Sequence, residues 1–218
     1  MTYIRHVGLI PDGTRRWSRE NGIPLLSGYL RSMDNLISFI NTCFGDDISS
    51  ISIYMLSDLN LQRSLEDLEP VFEAEQQFLS NYLLDICRKW DSKVISAGDI
   101  EILPTAFKDK IVDICHYTSM HQKRRLYLLF AYSPFEEIRH AVDRASSGKV
   151  EIDHFWVNEY VDVIIRTAGG STLLSNFLPI QSGYAQINMR DEYFNDLKQE
   201  TVFAILDKAR SVLMKKGR

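Results

Sequence analysis

The chain has 218 residues, of which 45% are hydrophobic and 25% are charged, a composition typical of a folded globular protein. Its 25 Lys and Arg against 29 Asp and Glu give a net charge of −4, which argues against a basic surface for nucleic acid or anionic membranes. The sequence contains no apolar run of about 18 residues and no signal-peptide pattern. We therefore expect a single domain over residues 1–218, without a nucleic-acid partner or transmembrane segment, in the cytoplasm.

Six short runs rich in β-branched and aromatic residues alternate with segments of helical periodicity. Strands are predicted at residues 3–10, 49–56, 92–98, 125–132, 161–166 and 185–189. Helices are predicted near residues 30–44, 64–90, 105–120, 134–147, 153–159 and 195–215. This alternation predicts an α/β fold, a mostly parallel sheet with right-handed crossovers and helices on both faces.

The segment from Ser64 to Trp90 has the longest helical pattern, with apolar residues at three- and four-residue steps. Ser64 and Asp67 resemble a capping box, and Pro70 either lies in a first turn or kinks the helix. Most of its apolar side chains are interpreted as core, and a few are expected to line an apolar cavity.

The three cysteines and five histidines give no indication of a metal centre. Cys43, Cys87 and Cys115 are odd in number and far apart, and the histidines form no HxxxH or HExxH pattern. Neither a zinc site nor a disulfide framework is implied, and the cysteines are interpreted as buried thiols.

The first predicted strand ends in a phosphate-binding pattern. Asp12, Gly13 and Thr14 follow the strand, and Arg15 and Arg16 come where a helix should begin. Free backbone N–H groups, a helix dipole and two guanidinium groups would therefore converge, and Asp12 would hold a cation such as Mg²⁺ or handle a proton. The alternative is that Asp12 caps the helix and the arginines are solvated.

Two further strand ends carry polar and basic residues. Ser57, Asn60 and Arg63 follow the second strand, while Arg166 ends the fifth and is followed by Ser175. Since loops after parallel strands share one edge of a sheet, these turns should face one crevice. Arginine and hydroxyl groups there suit two diphosphates better than one carboxylate.

Four segments in this order resemble the cis-prenyltransferase family of the undecaprenyl diphosphate synthase type: HVGLIPDGTRRW, SDLNLQR, DVIIRTAGG and SNFLPIQSGYAQI. Within the family, the chain is most similar to the lavandulyl and cyclolavandulyl diphosphate synthase branch, both in its length and in where it departs from the usual family pattern. The resemblance implies a homodimer, a central six-stranded parallel sheet, and an apolar tunnel beside the long helical segment. It also implies Mg²⁺-dependent condensation of prenyl diphosphates such as dimethylallyl diphosphate.

The resemblance also assigns roles by position. Asp12 and Asn60 would be catalytic, with Asp12 assisting the allylic diphosphate and its Mg²⁺ and Asn60 close to the reacting carbons. Arg166 and Ser175 would bind the second diphosphate. The residues expected to bind substrate are Gly13, Thr14, Arg15, Arg16, Tyr29, Ser57, Arg63, Arg166, Ser171 and Ser175.

The chain departs from the family pattern in both expected diphosphate sites. In the first, Thr14-Arg15 replaces Asn-Gly, and Leu25 and Gly28-Tyr29 replace an Arg and a Gly-His pair. In the second, Ser171 to Leu174 occupy the place of a Glu and an Arg, so one arginine is missing there. The family's late Glu, linked to Mg²⁺ and the dimer partner, is Gln186.

One departure concerns the expected tunnel. Met55 stands where a small residue is common, which predicts a shorter cavity, further filled by Phe72 and Tyr82.

Three functions fit this pattern. An irregular coupling of two allylic diphosphates suits the altered second site, whereas an ordinary chain-elongating enzyme would use isopentenyl diphosphate. A non-catalytic partner subunit of the same fold is the third, and the retained Asp12, Asn60 and Arg63 count against it. An unrelated phosphate-binding enzyme is a further alternative. The base that removes the final proton stays open among Tyr29, Asn60, Asp12 and the leaving diphosphate.

Overall fold

A computed structural model describes residues 3–146, 148–168 and 173–215 of the chain, the last three as backbone only. Six parallel strands form one sheet in the order β3-β4-β2-β1-β5-β6. The strands are β1 (His6–Ile10), β2 (Ser50–Tyr54), β3 (Ser92–Ala97), β4 (Arg124–Leu129), β5 (Val163–Arg166) and β6 (Gln186–Met189). The prediction of a mostly parallel six-stranded α/β sheet is therefore confirmed.

Seven α-helices connect or flank the strands in the described part of the chain. They are α1 (Thr14–Asn21), α2 (Leu25–Gly45), α3 (Leu65–Phe78), α4 (Leu84–Trp90), α5 (Thr105–Tyr117), α6 (Pro134–Ala145) and α7 (Gln199–Lys215). Among these residues, none of the helices is both long enough and apolar enough to cross a membrane.

The centre of the sheet is apolar and fully buried. Every residue of β1, β2 and β5 is buried. This is the pattern of parallel strands that are covered on both faces. β1 lies between β2 and β5, so the chain reverses its direction of travel across the sheet beside β1. Such a switch point leaves a crevice at the carboxyl ends of the strands, and Ile10 pairs with Arg166 there.

The long helical segment consists of three pieces. Ser64 Oγ accepts a hydrogen bond from Asp67 N at 3.4 Å, as the capping pattern predicts. Pro70 lies inside α3, and a π-helical turn, Leu79–Leu83, joins α3 to α4. The segment therefore stays helical over nearly the whole predicted range.

Two helix predictions need correction. Residues 153–159 do not form an α-helix: a single 3₁₀ turn, Ile152–His154, is followed by extended backbone at Phe155. Val157 N donates to Glu137 Oε1 at 3.0 Å, so contact with α6 helps to hold the extended part of the segment. α2 begins at Leu25 after Pro24, five residues before its predicted start.

The apolar residues of α7 are buried in the chain's own core. Val202, Ile205, Leu206 and Ala209 are each at most 6% exposed. These side chains are therefore not free to form an interface with another subunit. Cys43 and Cys87 are fully buried, as predicted, and Cys115 is partly buried.

Candidate active site

A cavity of about 790 Å³ opens at the carboxyl ends of β1, β2 and β5. Its wall also includes α1, α2, α3 and the turn after β2. Of the predicted site residues, those that line it are Asp12, Gly13, Thr14, Arg15, Arg16, Tyr29, Ser57, Asn60, Arg63, Arg166 and Ser175. The structure thus brings together all the predicted site residues except Ser171, which lies outside the described residues.

Asp12 and Arg166 form an ion pair at the centre of this edge. Arg166 Nη2 lies 2.9 Å from Asp12 Oδ2, and Nη1 donates to Ser175 Oγ at 2.9 Å and to the Leu173 carbonyl. The Arg166 side chain is 6% exposed, and its Nε has no hydrogen-bond partner among the described residues. The two residues expected in separate diphosphate sites are therefore in direct contact.

The loop before α1 is fixed by Thr167 and by a glycine. Thr167 Oγ1 accepts from Asp12 N at 3.0 Å and donates to Asp12 O at 2.8 Å. Gly13 precedes α1 with φ of +110°, and a Cβ there would lie 2.5 Å from Tyr193 Cδ1. A glycine has no side chain to cap the first turn of α1, whose N–H groups stay available to an anion.

The two arginines of α1 have different surroundings. Arg16 lies 3.5 Å from Asp12 Oδ1 and over the ring of Tyr193, 5.7 Å from its centroid. Arg15 pairs with Asp67 of α3 at 2.8 Å. Both guanidinium groups are more than 40% exposed, so they can reorient toward a ligand.

The turn after β2 is held by reciprocal hydrogen bonds. Ser57 N donates to Asn60 Oδ1 at 3.2 Å, and Asn60 N donates to Ser57 Oγ at 3.0 Å. This arrangement fixes Asn60 at the cavity wall and leaves Arg63 at the end of the turn. Thr14 Oγ1, across the cavity, donates to Ser32 Oγ at 3.3 Å.

Tyr54 connects β2 to the segment that holds Ser175. Its hydroxyl donates to Ser175 O at 3.1 Å, and burial raises the pKa of Tyr54 to about 12. The phenol is therefore neutral near pH 7, and it serves to position the loop.

The deeper wall is largely apolar, with Met33, Leu36, Met55 and Val71 among its residues. Met55 therefore lines the cavity, as the sequence predicts.

The predictions for Phe72 and Tyr82 are wrong. The Phe72 ring packs on Phe107 of α5 at a centroid distance of 5.2 Å, and Tyr82 is 48% exposed. Neither side chain is part of the cavity wall.

Glu75 of α3 is a residue that sequence reasoning missed. It lines the cavity, is 2% exposed, and its Oε2 has no hydrogen-bond partner among the described residues. Burial raises the pKa of Glu75 well above its ordinary value of 4.5. No sequence signal marks it, because a Glu in an amphipathic helix is ordinarily on the exposed side.

The second-site departures lie at the edge of the cavity or outside it. The Leu173 side chain is 65% exposed, and its carbonyl accepts from Arg166. Gln186 Nε2 donates to Ala209 O of α7 at 3.0 Å and is not part of the cavity wall. Gln186 therefore joins β6 to α7.

The donor set of the cavity suits a hard cation bound together with a ligand. Within the described residues, no cluster of three or more His, Cys, Asp or Glu side chains could hold a metal alone. Asp12 offers a carboxylate that is 38% exposed and lies just before α1, beside the residues expected to bind phosphate. Mg²⁺ is commonly held by one or two carboxylates plus phosphate oxygens, so the site fits this mode.

Comparison with known proteins identifies the family. Residues 10–212 match the prenyltransferase family model described as "Putative undecaprenyl diphosphate synthase". A tritrans,polycis-undecaprenyl-diphosphate synthase (geranylgeranyl-diphosphate specific) of Thermoplasma volcanium is 30% identical over 213 residues, covering 89% of this chain and 81% of that protein. An isoprenyl transferase of Campylobacter jejuni is 24% identical over 216 residues, covering 97% of both chains.

Two solved structures share the fold. Lavandulyl diphosphate synthase from Lavandula x intermedia, in complex with dimethylallyl diphosphate, superposes with a TM-score of 0.86 at 22% identity, covering 94% of both chains. A probable undecaprenyl diphosphate synthase from Campylobacter jejuni gives 0.79 at 22% identity, covering 96% of both. Since the family model spans nearly the whole chain, this protein belongs to the cis-prenyltransferase family, the prenyl-transferring enzymes of the undecaprenyl diphosphate synthase type.

Proposed function

We propose that the protein is a Mg²⁺-dependent prenyl diphosphate condensing enzyme that couples two molecules of dimethylallyl diphosphate into a branched or cyclic ten-carbon diphosphate. The observation that carries the proposal is the contact between Asp12 and Arg166, which joins the two expected diphosphate sites in one cavity. Two substrates bound there would have their reacting ends in the same apolar space.

The donor site is the richer in positive charge. Arg15, Arg16 and Arg63 line it together with the N-terminus of α1, so an allylic diphosphate would be stabilised as it leaves. Asp12 would hold the Mg²⁺, and the ion would supply further positive charge to the leaving diphosphate. The acceptor site contributes Arg166 and Ser175.

The reaction needs ionisation, attack and proton loss. The carbon–oxygen bond of the donor breaks, and its electron pair leaves with the diphosphate while the allylic cation is delocalised. The alkene of the second molecule forms the new carbon–carbon bond, and a neighbouring carbon then loses a proton. The apolar wall with Met33, Leu36 and Val71 excludes water, which would otherwise capture the cation.

The surroundings of the candidate bases favour the leaving diphosphate as the proton acceptor. Burial raises the pKa of Tyr29, so its phenol is neutral, and the amide of Asn60 is not basic. Asp12 is engaged by Arg166 and Arg16. Tyr29 and Asn60 are therefore proposed to orient the reactants.

Irregular coupling is favoured by the acceptor side. Gln186, where the family has a Glu, is bonded to α7, and the exposed Leu173 occupies a stretch where charged residues are usual. Met55 lines the cavity, where a side chain larger than is common in the family would shorten it. The fold it shares with lavandulyl diphosphate synthase is consistent with this choice.

The alternative is an ordinary short-chain enzyme that adds isopentenyl diphosphate. It is supported by the retained Arg166 and Ser175 and by the names of the relatives. A homodimer is proposed for either case from the family resemblance.

Product analysis separates the two reactions. The purified protein is incubated with Mg²⁺ and dimethylallyl diphosphate, with and without isopentenyl diphosphate, and dephosphorylated products are identified by gas chromatography with mass detection. We expect a branched or cyclic ten-carbon product from dimethylallyl diphosphate alone, lost when a chelator removes Mg²⁺. A head-to-tail product that forms only with isopentenyl diphosphate would establish the alternative, and no product from either would contradict both.

A further inference from the structure

The cavity contains one acidic side chain that the proposed chemistry does not use. Glu75 is 2% exposed, and its Oε2 has no hydrogen-bond partner among the described residues. No described cation forms an ion pair with it. Burial raises the pKa of Glu75 well above 4.5, which favours the neutral carboxylic acid, a group able both to donate and to accept a hydrogen bond.

Glu75 lies well away from the diphosphate end of the cavity. Asp67, which pairs with Arg15 at that end, is eight residues earlier on α3, a separation of about 12 Å at the helical rise per residue. Val71, between them on the helix, presents an apolar surface to the cavity. From this spacing we expect one isoprene unit anchored by its diphosphate beside Arg15 to fall short of Glu75, and two units in line to reach it.

A hydrocarbon chain and a hydroxylated chain would meet this carboxyl differently. An all-hydrocarbon end would offer Glu75 no hydrogen bond and would leave a buried polar group unpaired, which is unfavourable. A hydroxyl group at the same place would give the carboxyl a hydrogen-bond partner.

We propose that Glu75 makes the deep end of the cavity a polar subsite, selective for two-isoprene diphosphates that carry a hydroxyl group on their terminal carbon. This inference rests on the proposed function, because it takes the diphosphate to bind beside Asp12 and Arg15. It adds a class of ligand, hydroxylated prenyl diphosphates, and names Glu75 as the residue that selects it.

Binding of non-hydrolysable thiodiphosphates, measured by calorimetry with Mg²⁺ present, tests the subsite. The probes are the dimethylallyl compound, the geranyl compound, and the geranyl compound with a terminal hydroxyl group. In the wild-type protein we expect the hydroxylated probe to bind about tenfold more tightly than the plain geranyl probe, the effect of one hydrogen bond. Glu75→Leu should reverse this preference, and Glu75→Gln should retain it.

Two controls isolate the effect. Glu73→Leu makes the same change on the exposed side of α3 and should leave the preference unchanged. The dimethylallyl probe, too short to reach Glu75, should bind wild type and Glu75→Leu equally.

The wild-type protein alone can overturn the inference: equal affinity for the plain and hydroxylated geranyl probes would do so, whether or not the variants fold. An unchanged preference in Glu75→Leu, with dimethylallyl binding intact, would also overturn the subsite while leaving the proposed function standing. Failure of all three probes to bind would contradict the proposed function and the inference together.

Discussion

Asp12 and Arg166 are placed by the register of the central strands. Ile10 of β1 pairs with Arg166 of β5, so Asp12 follows two residues beyond the same edge. The ion pair offsets part of the free-energy cost of desolvating the buried Arg166 guanidinium. Arg166 Nε has no partner among the described residues and remains available as a donor. Arg166 Nε can therefore donate a hydrogen bond to a phosphate oxygen while Nη2 stays bonded to Asp12.

Removing the charge of Asp12 should abolish turnover. Asp12→Asn keeps the size and a hydrogen-bond acceptor for Arg166, whereas Asp12→Ala removes both. We expect each to lose more than about a hundredfold in turnover, the scale of such electrostatic contributions, with the circular dichroism spectrum unchanged. Asp85→Ala, in an exposed pair on α4, is the control. Retention of more than half the activity in Asp12→Asn would mean that turnover does not need the charge of this carboxylate.

The start of α1 is constrained both by its backbone conformation and by close neighbours. Gly13 is left-handed at φ +110°, and a Cβ would lie 2.5 Å from Tyr193 Cδ1 and 2.7 Å from Ala168 Cβ. Gly22, at the other end of α1, is also left-handed at φ +63°, but a Cβ there has no neighbour within 4 Å. The two glycines thus share backbone strain and differ in crowding.

This difference gives a matched pair of variants. Gly22→Ala should lower the free energy of unfolding by about 1 kcal/mol, the cost of a side chain in the left-handed region. Gly13→Ala should cost clearly more, because Tyr193 and Ala168 must also move. Urea unfolding followed by circular dichroism measures both. Equal losses would show that packing against Gly13 does not constrain the loop.

The central strands β1, β2 and β5 were predictable because each is a short, largely apolar run covered on both faces. The helix prediction for residues 153–159 is wrong, because Phe155 and Val157 are buried in an extended segment that bonds to α6. Periodicity reports which residues are apolar and not which partner holds the backbone. For the same reason it could not place α2 at Leu25, which follows a proline that starts the helix.

The site was predictable where polar residues follow strands, since parallel topology brings those ends together. It was not predictable where the wall is a helix. Phe72 and Glu75 are three residues apart on α3, yet Phe72 packs on Phe107 while the acid lines the cavity. The tertiary packing of α3 decides this, and the helical pattern favoured the reverse.

One histidine is buried at the end of the sheet opposite the cavity. His6, at the start of β1, is fully buried, with Nε2 2.8 Å from Ser52 Oγ and Nδ1 3.2 Å from Tyr160 O. Burial lowers the pKa of His6 below its ordinary 6.5. Below that pH the unfolded chain binds a proton that the folded chain does not, so this group destabilises the fold as pH falls.

The contribution of His6 is measured by difference, because Glu75 and Glu137 act in the opposite sense. Burial raises the pKa of both carboxyls above 4.5, so their contribution to stability decreases as pH rises above that value. The wild-type free energy of unfolding minus that of His6→Asn cancels them. We expect this difference in the free energy of unfolding to decrease as the pH falls from about 7.5 to about 5.5. A difference independent of pH would contradict the assignment of a buried neutral imidazole.

Assembly is a further property of the whole molecule. The apolar side of α7 is used within the chain, whereas Ile187 on the edge strand β6 is 48% exposed and Tyr184 before it is 79% exposed. We expect light scattering to give twice the chain mass of 25.2 kDa and Ile187→Asp to shift the protein toward the monomer. A monomeric mass for the wild-type protein at micromolar concentration would contradict the homodimer.

Irregular coupling requires two diphosphate sites that both accept an allylic substrate. Calorimetric titration of the protein with dimethylallyl thiodiphosphate and Mg²⁺ counts these sites directly. We predict two molecules bound per chain in the wild-type protein and one in Arg166→Ala, whose acceptor site has lost its buried guanidinium. One molecule per chain in the wild-type protein, with a second bound only when isopentenyl diphosphate is added, would contradict the account.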